Sequence, residues 1–221
     1  KIDRDLRDLQ SKKEIEEPFG KHQVGSTAMP YKRNPMTEER GCSLGRHPLA
    51  LALEANMTHM TQGFERTLDD SAGRRIYIPE AFLTADALLI LMQFITEGLI
   101  VYPQVIRRHV MDELPFMASE DIIMAMVTAG ASRQECHEQL RVLSQEAGDK
   151  VKLEGGDNDL MARIGATPYF APIHDRLAEI LNPKNFVAGV AEQVDEFLNE
   201  EVRPILAPYS DLLGGTVDLK V

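Results

Sequence analysis

Between Phe82 and Leu99, apolar side chains cover more of a helix than one buried stripe requires. Phe82, Ala85, Leu89, Met92 and Leu99 follow helical spacing along one face, and Leu88, Leu91 and Ile95 fill the adjacent one. A helix apolar around most of its circumference must be covered on several sides. The centre of a bundle and a contact between subunits both satisfy that demand, and both predict an all-α fold. Elsewhere, alternation at period two is short wherever it occurs. Aromatic residues, which favour strands, make up only 6% of the chain. The spacing predicts a long helix over 76–110, ended by Glu113-Leu114-Pro115, because proline supplies no backbone donor.

Downstream, the punctuation predicts shorter helices. Ser119 is placed to cap one, with Glu120 and Asp121 in its first turn, where acids suit the helix dipole, and Gly130 closes it. Ser132-Arg133-Gln134-Glu135 has capping-box spacing and opens a helix to about Glu154, stopped by Gly155-Gly156. A short helix is expected over Pro172–Leu181. An amphipathic one is expected over Ala191–Leu206, disrupted at its end by Pro204 and Pro208, and Gly214–Val221 is expected to be loose. The change from long to short helices near Asp112 divides the chain into 1–111 and 112–221. The chain begins at Lys1 inside a charged helical pattern, which suggests that part of the molecule lies upstream.

Charge and motif content narrow the chemistry. A net charge of −11 opposes non-specific nucleic-acid binding, because a polyanion is repelled. The most apolar window, 87–95, lies between Asp86 and Glu97 and is too short to span a bilayer, so no membrane partner is expected. Two cysteines, Cys42 and Cys136, form no disulfide framework and fit a reducing compartment. The histidines at 22, 47, 59, 109, 137 and 174 are scattered, with no metal-ligand spacing. Neither a dinucleotide-binding nor a Walker glycine pattern occurs. No metal and no cofactor is expected.

Against that acidic background, 21–47 carries Lys21, Lys32, Arg33, Arg40 and Arg46 opposed by Glu38 and Glu39, a local net of +3. Its centre is Gly25-Ser26-Thr27-Ala28-Met29-Pro30-Tyr31-Lys32-Arg33-Asn34-Pro35. A serine hydroxyl becomes a base only where its alkoxide is stabilised, and a nearby ammonium and turn N–H groups can do this. Lys32 offers the charge. Gly25 lets the backbone bend, and Pro30 and Pro35 limit the loop's conformations. Thr37 or Asn34 is placed to cap the helix that follows. These are the parts of a closing lid that delivers Ser26 into an anion pocket. A second cluster, 64–75, mixes Arg66, Arg74 and Arg75 with Glu65, Asp69 and Asp70 and the hydroxyls of Thr67 and Ser71. Arg40, Arg66 and Arg75 would suit a ligand with several anionic groups. Surface pairing among Glu65, Arg66, Asp69, Asp70 and Arg74 accounts for the same residues.

The loop resembles the signature of the fumarase/aspartase superfamily, GSxxMPxKxNP, at every fixed position: Gly25, Ser26, Met29, Pro30, Lys32, Asn34 and Pro35. EIEEPF (14–19), FERTLDDSAGRR (64–75), EAFLTAD (80–86), ELPFMASEDIIMAMV (113–127) and EGGDNDL (154–160) are similar to the adenylosuccinate lyase family in particular. The resemblance implies a long-helix bundle over 1–111 and a smaller C-terminal helical domain over 112–221. It implies a cytoplasmic enzyme that eliminates fumarate from adenylosuccinate, giving AMP, and from SAICAR, giving AICAR, in purine biosynthesis. By motif position, Ser26 would be the catalytic base. Lys32 and Asn34 would support the developing charge, Arg40, Arg66, Ser71 and Arg75 would hold the substrate, and Met29 would pack near it. The family's general-acid histidine belongs to an upstream segment that these 221 residues do not contain. A homotetramer with active sites shared between subunits is implied as well. Two other readings are an argininosuccinate lyase-like member of the superfamily and a catalytically incomplete helical oligomerisation fragment.

Overall fold

The structure is a computed structural model that describes residues 1–20 and 23–215. Lys21, His22 and most of the terminal stretch expected to be loose, from Thr216 onward, lie outside the described residues. The chain divides into two compact units.

The first unit comprises Lys1–Val105, and the chain returns to it at Gly214. It contains α1 (Ile2–Ser11), α2 (Met36–Leu44), α3 (His47–Thr61) and α4 (Asp70–Glu97). β1 (Ile15–Glu16) and β2 (Ile100–Val101) pair antiparallel, with Ile15 opposite Val101 and Glu16 opposite Ile100. Helix α2 packs on α1 and α4, and α3 packs on α4. Pro48 lies in the first turn of α3, where a missing N–H leaves no helical bond unmade.

The long helix differs from the expected 76–110. It starts at Asp70 and stops at Glu97. Gly98 explains the stop: a Cβ there would lie 2.4 Å from Pro18 Cγ, so the backbone passes Pro18 too closely for any side chain. The chain then turns to set Ile100–Val101 beside β1, and a new helix, α5 (Pro103–Met117), begins. Pro115 does not end the helix before it but lies within the last turn of α5.

Thr84, Leu91 and Ile95 form the buried side of α4. Phe82 and Leu89 keep 75% and 70% of their surface exposed, so most of the apolar circumference is uncovered in this chain. The face Leu49, Leu53, Met57 and Met60 of α3 is exposed too. With its full 28 residues, α4 is long and apolar enough to cross a bilayer by length and composition. The expectation drawn from the 87–95 window was therefore too narrow. Asp86, exposed near the helix middle, opposes such a placement, because a carboxylate at mid-bilayer costs roughly 2.5–3.5 kcal/mol.

Helix α5 leads into the second unit, Ile106–Leu213. Here α6 (Ser119–Thr128), α7 (Arg133–Glu154), α8 (Leu160–Ala166), a 3-10 segment (Pro168–Arg176) and α9 (Leu177–Ile180) enclose a core of Ile122, Met126, Cys136, Ile164 and Phe170. The Ser132 hydroxyl accepts from the Glu135 N–H at 3.5 Å, and Gly155, at φ 67°, closes α7, both where the punctuation placed them. Ser119 differs: it is the first residue of α6, and its hydroxyl donates to the Phe116 carbonyl at 2.5 Å instead of capping. In the turn after α7, Asn158 donates to the Asp112 carbonyl (2.8 Å) and Asp159 binds both Lys150 (3.0 Å) and Arg163 (2.7 Å).

The short helix expected over Pro172–Leu181 is mostly 3-10, and α-helical only over α9. The amphipathic helix expected over Ala191–Leu206 is interrupted. α10 (Val190–Phe197) widens into a π turn (Leu198–Val202) before α11 (Arg203–Leu206), since Pro204 cannot donate to the carbonyl four residues earlier.

Truncating Phe170, which is 0% exposed and packs edge-on to Tyr169 at 5.2 Å, is expected to lower the unfolding free energy by about 3–5 kcal/mol. Urea denaturation of Phe170→Ala followed by helical circular dichroism measures this. A loss below about 1 kcal/mol would contradict a close-packed core at that position.

Candidate active site

Loop 25–35 is closed on itself. Asn34 Nδ2 donates to the Gly25 carbonyl at 2.6 Å, which ties the two ends together. The Lys32 N–H donates to the Met29 carbonyl at 2.9 Å across the tip. A Cβ on Gly25 would lie 2.2 Å from the Lys32 carbonyl oxygen, so the crossing admits only glycine. The half-buried Ser26 Oγ accepts the Met29 N–H at 3.2 Å. That is the polarity an alkoxide requires, a donor already directed at the oxygen.

The two neighbouring cations have separate roles. Arg33 pairs with Glu16 at 2.8 Å, and its guanidinium stacks 5.1 Å from the centroid of the Phe19 ring. Glu16 also accepts from the Tyr102 hydroxyl at 2.8 Å. Arg33 therefore anchors the loop, and Lys32 remains exposed. A cleft of about 310 Å³ adjoins this end of the loop, with Arg4, Arg7, Lys32 and Asn34 among its walls.

Neither Thr37 nor Asn34 caps α2 with its side chain. Glu17 does so from the preceding segment. Its buried carboxylate accepts the Thr37 N–H with both oxygens (3.1 and 2.9 Å) and the Glu38 N–H (2.9 Å). Motif spacing did not point to this residue. The nearest signal was an acidic pair, Glu16-Glu17, ahead of a proline. Arg40 projects from α2, exposed, one turn past this anchor.

The second cluster spans the turn between α3 and α4. Phe64, fully exposed, takes a left-handed φ of 51° at the turn. Arg66 and Arg74 each reach Asp70, at 3.4 Å. Asp69 accepts instead from Gln62 (2.8 Å) and from the Thr67 hydroxyl, whose bond holds the carboxyl below its ordinary range. Arg75 donates to the Ser71 carbonyl at 2.9 Å and to its hydroxyl. Arg66 and Arg74 thus form surface pairs, whereas Ser71 and Arg75 form a unit with no acid in it. Ser26 is in contact with Met29, Lys32 and Asn34 line one cleft, and Ser71 meets Arg75. Among the described residues, no hydrogen bond or ion pair joins the loop to the second cluster. No group of three or more His, Cys, Asp or Glu among the described residues is arranged to hold a metal ion.

The family model described as "Adenylosuccinate lyase C-terminus" matches residues 115–197. The chain is 53% identical to an adenylosuccinate lyase of Schizosaccharomyces pombe over 222 residues, which covers 100% of the chain and 46% of that protein. The adenylosuccinate lyase of Saccharomyces cerevisiae is 53% identical over 97% of the chain and 44% of its own length. The chain belongs to the adenylosuccinate lyase family. It spans about half the length of the curated relatives it matches. A crystal structure of 3-carboxy-cis,cis-muconate lactonizing enzyme from Pseudomonas putida shares the fold, with a TM-score of 0.59 at 22% identity over 85% of this chain and 40% of that one. The fold class is thus all-α, with a single two-stranded pairing among the described residues. The family model falls within the second unit, whereas the loop and the arginine cluster lie in the first.

Glu38, beside the Glu17 anchor, is 0% exposed, and neither of its oxygens has a hydrogen-bond partner among the described residues. Burial, with the Glu17 and Asp3 charges behind it and Arg7 opposing, pushes its carboxyl up to about 7. The folded state therefore holds a proton that the unfolded chain releases near 4.5. Stability from this group is full below about 4.5, declines as pH rises and levels off above about 7. The total decline is on the order of 3 kcal/mol. Glu38→Gln, which mimics the protonated acid, should flatten this slope and raise the melting temperature above that of the parent at pH 8. Parallel slopes for parent and variant would show that Glu38 does not hold the proton.

Proposed function

We propose that this chain forms part of an adenylosuccinate lyase that eliminates fumarate from adenylosuccinate, giving AMP, and from SAICAR, giving AICAR. The observation that carries this reading is the closed loop that presents the Ser26 oxygen to a backbone donor beside an exposed lysine. Ser26 removes a proton from the succinyl Cβ. The electron pair becomes the fumarate double bond as the carbon–nitrogen bond breaks, and the leaving nitrogen is protonated by an acid outside this chain. In the transition state the adjacent carboxylate gains electron density. Interactions that strengthen at that moment lower the barrier. Lys32 and Asn34 supply them from the loop, and Met29 packs beside the substrate.

Both substrates are polyanions with a phosphate and two carboxylates. Arg40, Arg66 and Arg75, with the Ser71 hydroxyl, would hold those groups through planar donor forks. This explains why exposed guanidiniums persist in a protein of net charge −11.

The uncovered apolar faces of α3 and α4 support assembly as a homotetramer, since exposing them to water costs roughly 25 cal/mol per Å². Subunits packed on those faces would bring the loop of one to the arginine cluster of another. The domain division at 111/112 and a cytoplasmic location belong to the same reading.

In the full-length enzyme, Ser26→Ala should lower kcat by roughly 10³ or more while substrate still binds. Near-normal kcat would remove Ser26 as the base. Arg66→Lys should raise KM through loss of the planar fork, and an unchanged KM and kcat/KM would refute its role. Following fumarate absorbance across a substrate panel tests specificity. Turnover of argininosuccinate without adenylosuccinate would overturn the assignment.

A further inference from the structure

Every free amide in the first turn of α2 is accounted for. The Met36 N–H donates to the Asn34 carbonyl at 2.9 Å, and Thr37 and Glu38 donate to Glu17. The Glu39 N–H then makes the first regular bond, to the Pro35 carbonyl. A helix start ordinarily leaves these donors to its own cap residue or to water. Here a carboxylate twenty residues back in the chain takes two of them, at 1% exposure. The positive end of the helix dipole offsets the cost of burying that charge.

Gln10 extends the attachment. Its Oε1 accepts the Glu17 N–H at 3.3 Å, and its Nε2 donates to the Arg33 carbonyl at 3.2 Å. The loop's downstream end is thus held through Gln10, Glu16 and Glu17, all from the α1–β1 segment. Among the described residues, the hydrogen bonds of Gly25, Ser26 and Met29 all stay within the loop. A segment held at its downstream end in this way can pivot about that end.

We propose that Glu17 is a positioning residue for the reaction: by holding the amino terminus of α2, it fixes the pivot about which loop 25–35 closes and keeps Arg40 in register with Ser26. The inference rests on the lid role proposed for the loop. Arg40 lies four residues past Met36, about 6 Å along the helix axis, so tilt or fraying of the first turn moves it directly. Loss of the Glu17 contact would therefore affect both proton removal and substrate holding without altering any group that touches substrate.

The test uses the full-length enzyme with Glu17→Gln, which keeps the side-chain size and one acceptor oxygen but loses the charge. Steady-state kinetics are paired with amide hydrogen exchange resolved at Thr37 and Glu38. The expected result is exchange at least about tenfold faster at those two amides, with α2 from Gly41 onward unchanged, together with a kcat lower by about tenfold and a raised KM, the scale of one lost charge-assisted bond. Faster exchange with kcat within about twofold of the parent would overturn the proposal, because the anchor would then be structural only. Unchanged exchange, whatever the activity, would overturn it as well, since Glu17 would not be holding those amides. If Glu17→Ala fails to fold, the near-isosteric glutamine variant still decides. Normal turnover by Ser26→Ala would sink the lid chemistry and leave the exchange result standing, so the two failures can be told apart.

Discussion

The first unit is organised around the buried Glu17 carboxylate on the open amides of α2. A helix that begins straight after a proline-bounded loop has no side chain of its own in position to cap it, and Pro35 offers none. Without an acceptor, two buried N–H groups would be orphaned, each at a cost of about 1–3 kcal/mol. Glu17 meets that need and joins the α1–β1 segment to α2. Helix α2 in turn packs on α4, the longest element of the unit. The loop, Arg40 and the arginine turn at the start of α4 are thereby supported by one connected scaffold. The Asp3, Glu17 and Glu38 carboxylates lie close enough to raise Glu38, so the same anchor carries a titratable strain beside it.

What could be read in the sequence followed distance along the chain. Ser132 and Gly155 bracket α7 as their residue types require, because caps act within three or four residues. The need for glycine at 25 was legible for the same reason, although its cause, the approach of the Lys32 carbonyl, was not. The cap on α2 was misread because its donor and acceptor are twenty residues apart and the pairing exists only after β1 is in place. The stop at Gly98 was missed although glycine is a local stop signal; what the sequence hides is that Pro18 crosses there and excludes a side chain. The pair Lys32-Arg33 read as one basic feature, yet Glu16 and Phe19 take up Arg33 and leave Lys32 exposed.

The apolar excess that first marked the chain as helical remains unsatisfied within it. Leu53, Met57, Phe82, Leu83 and Leu89 are all more than half exposed. The curated relatives are about twice this length, and the homotetramer proposed above would cover such faces. Among the described residues no hydrogen bond or ion pair joins the loop to the arginine cluster, and under the proposed function a polyanionic substrate held between copies would draw on both.

The measurement that reaches the centre of this account is a structure of the full-length enzyme closed over its products. In such a structure the Ser26 Oγ is expected about 3–3.5 Å from the fumarate carbon that lost its proton, with guanidinium groups on the carboxylates and the phosphate. A closed assembly in which Ser26 stays walled off from fumarate, with another side chain at that carbon, would contradict it.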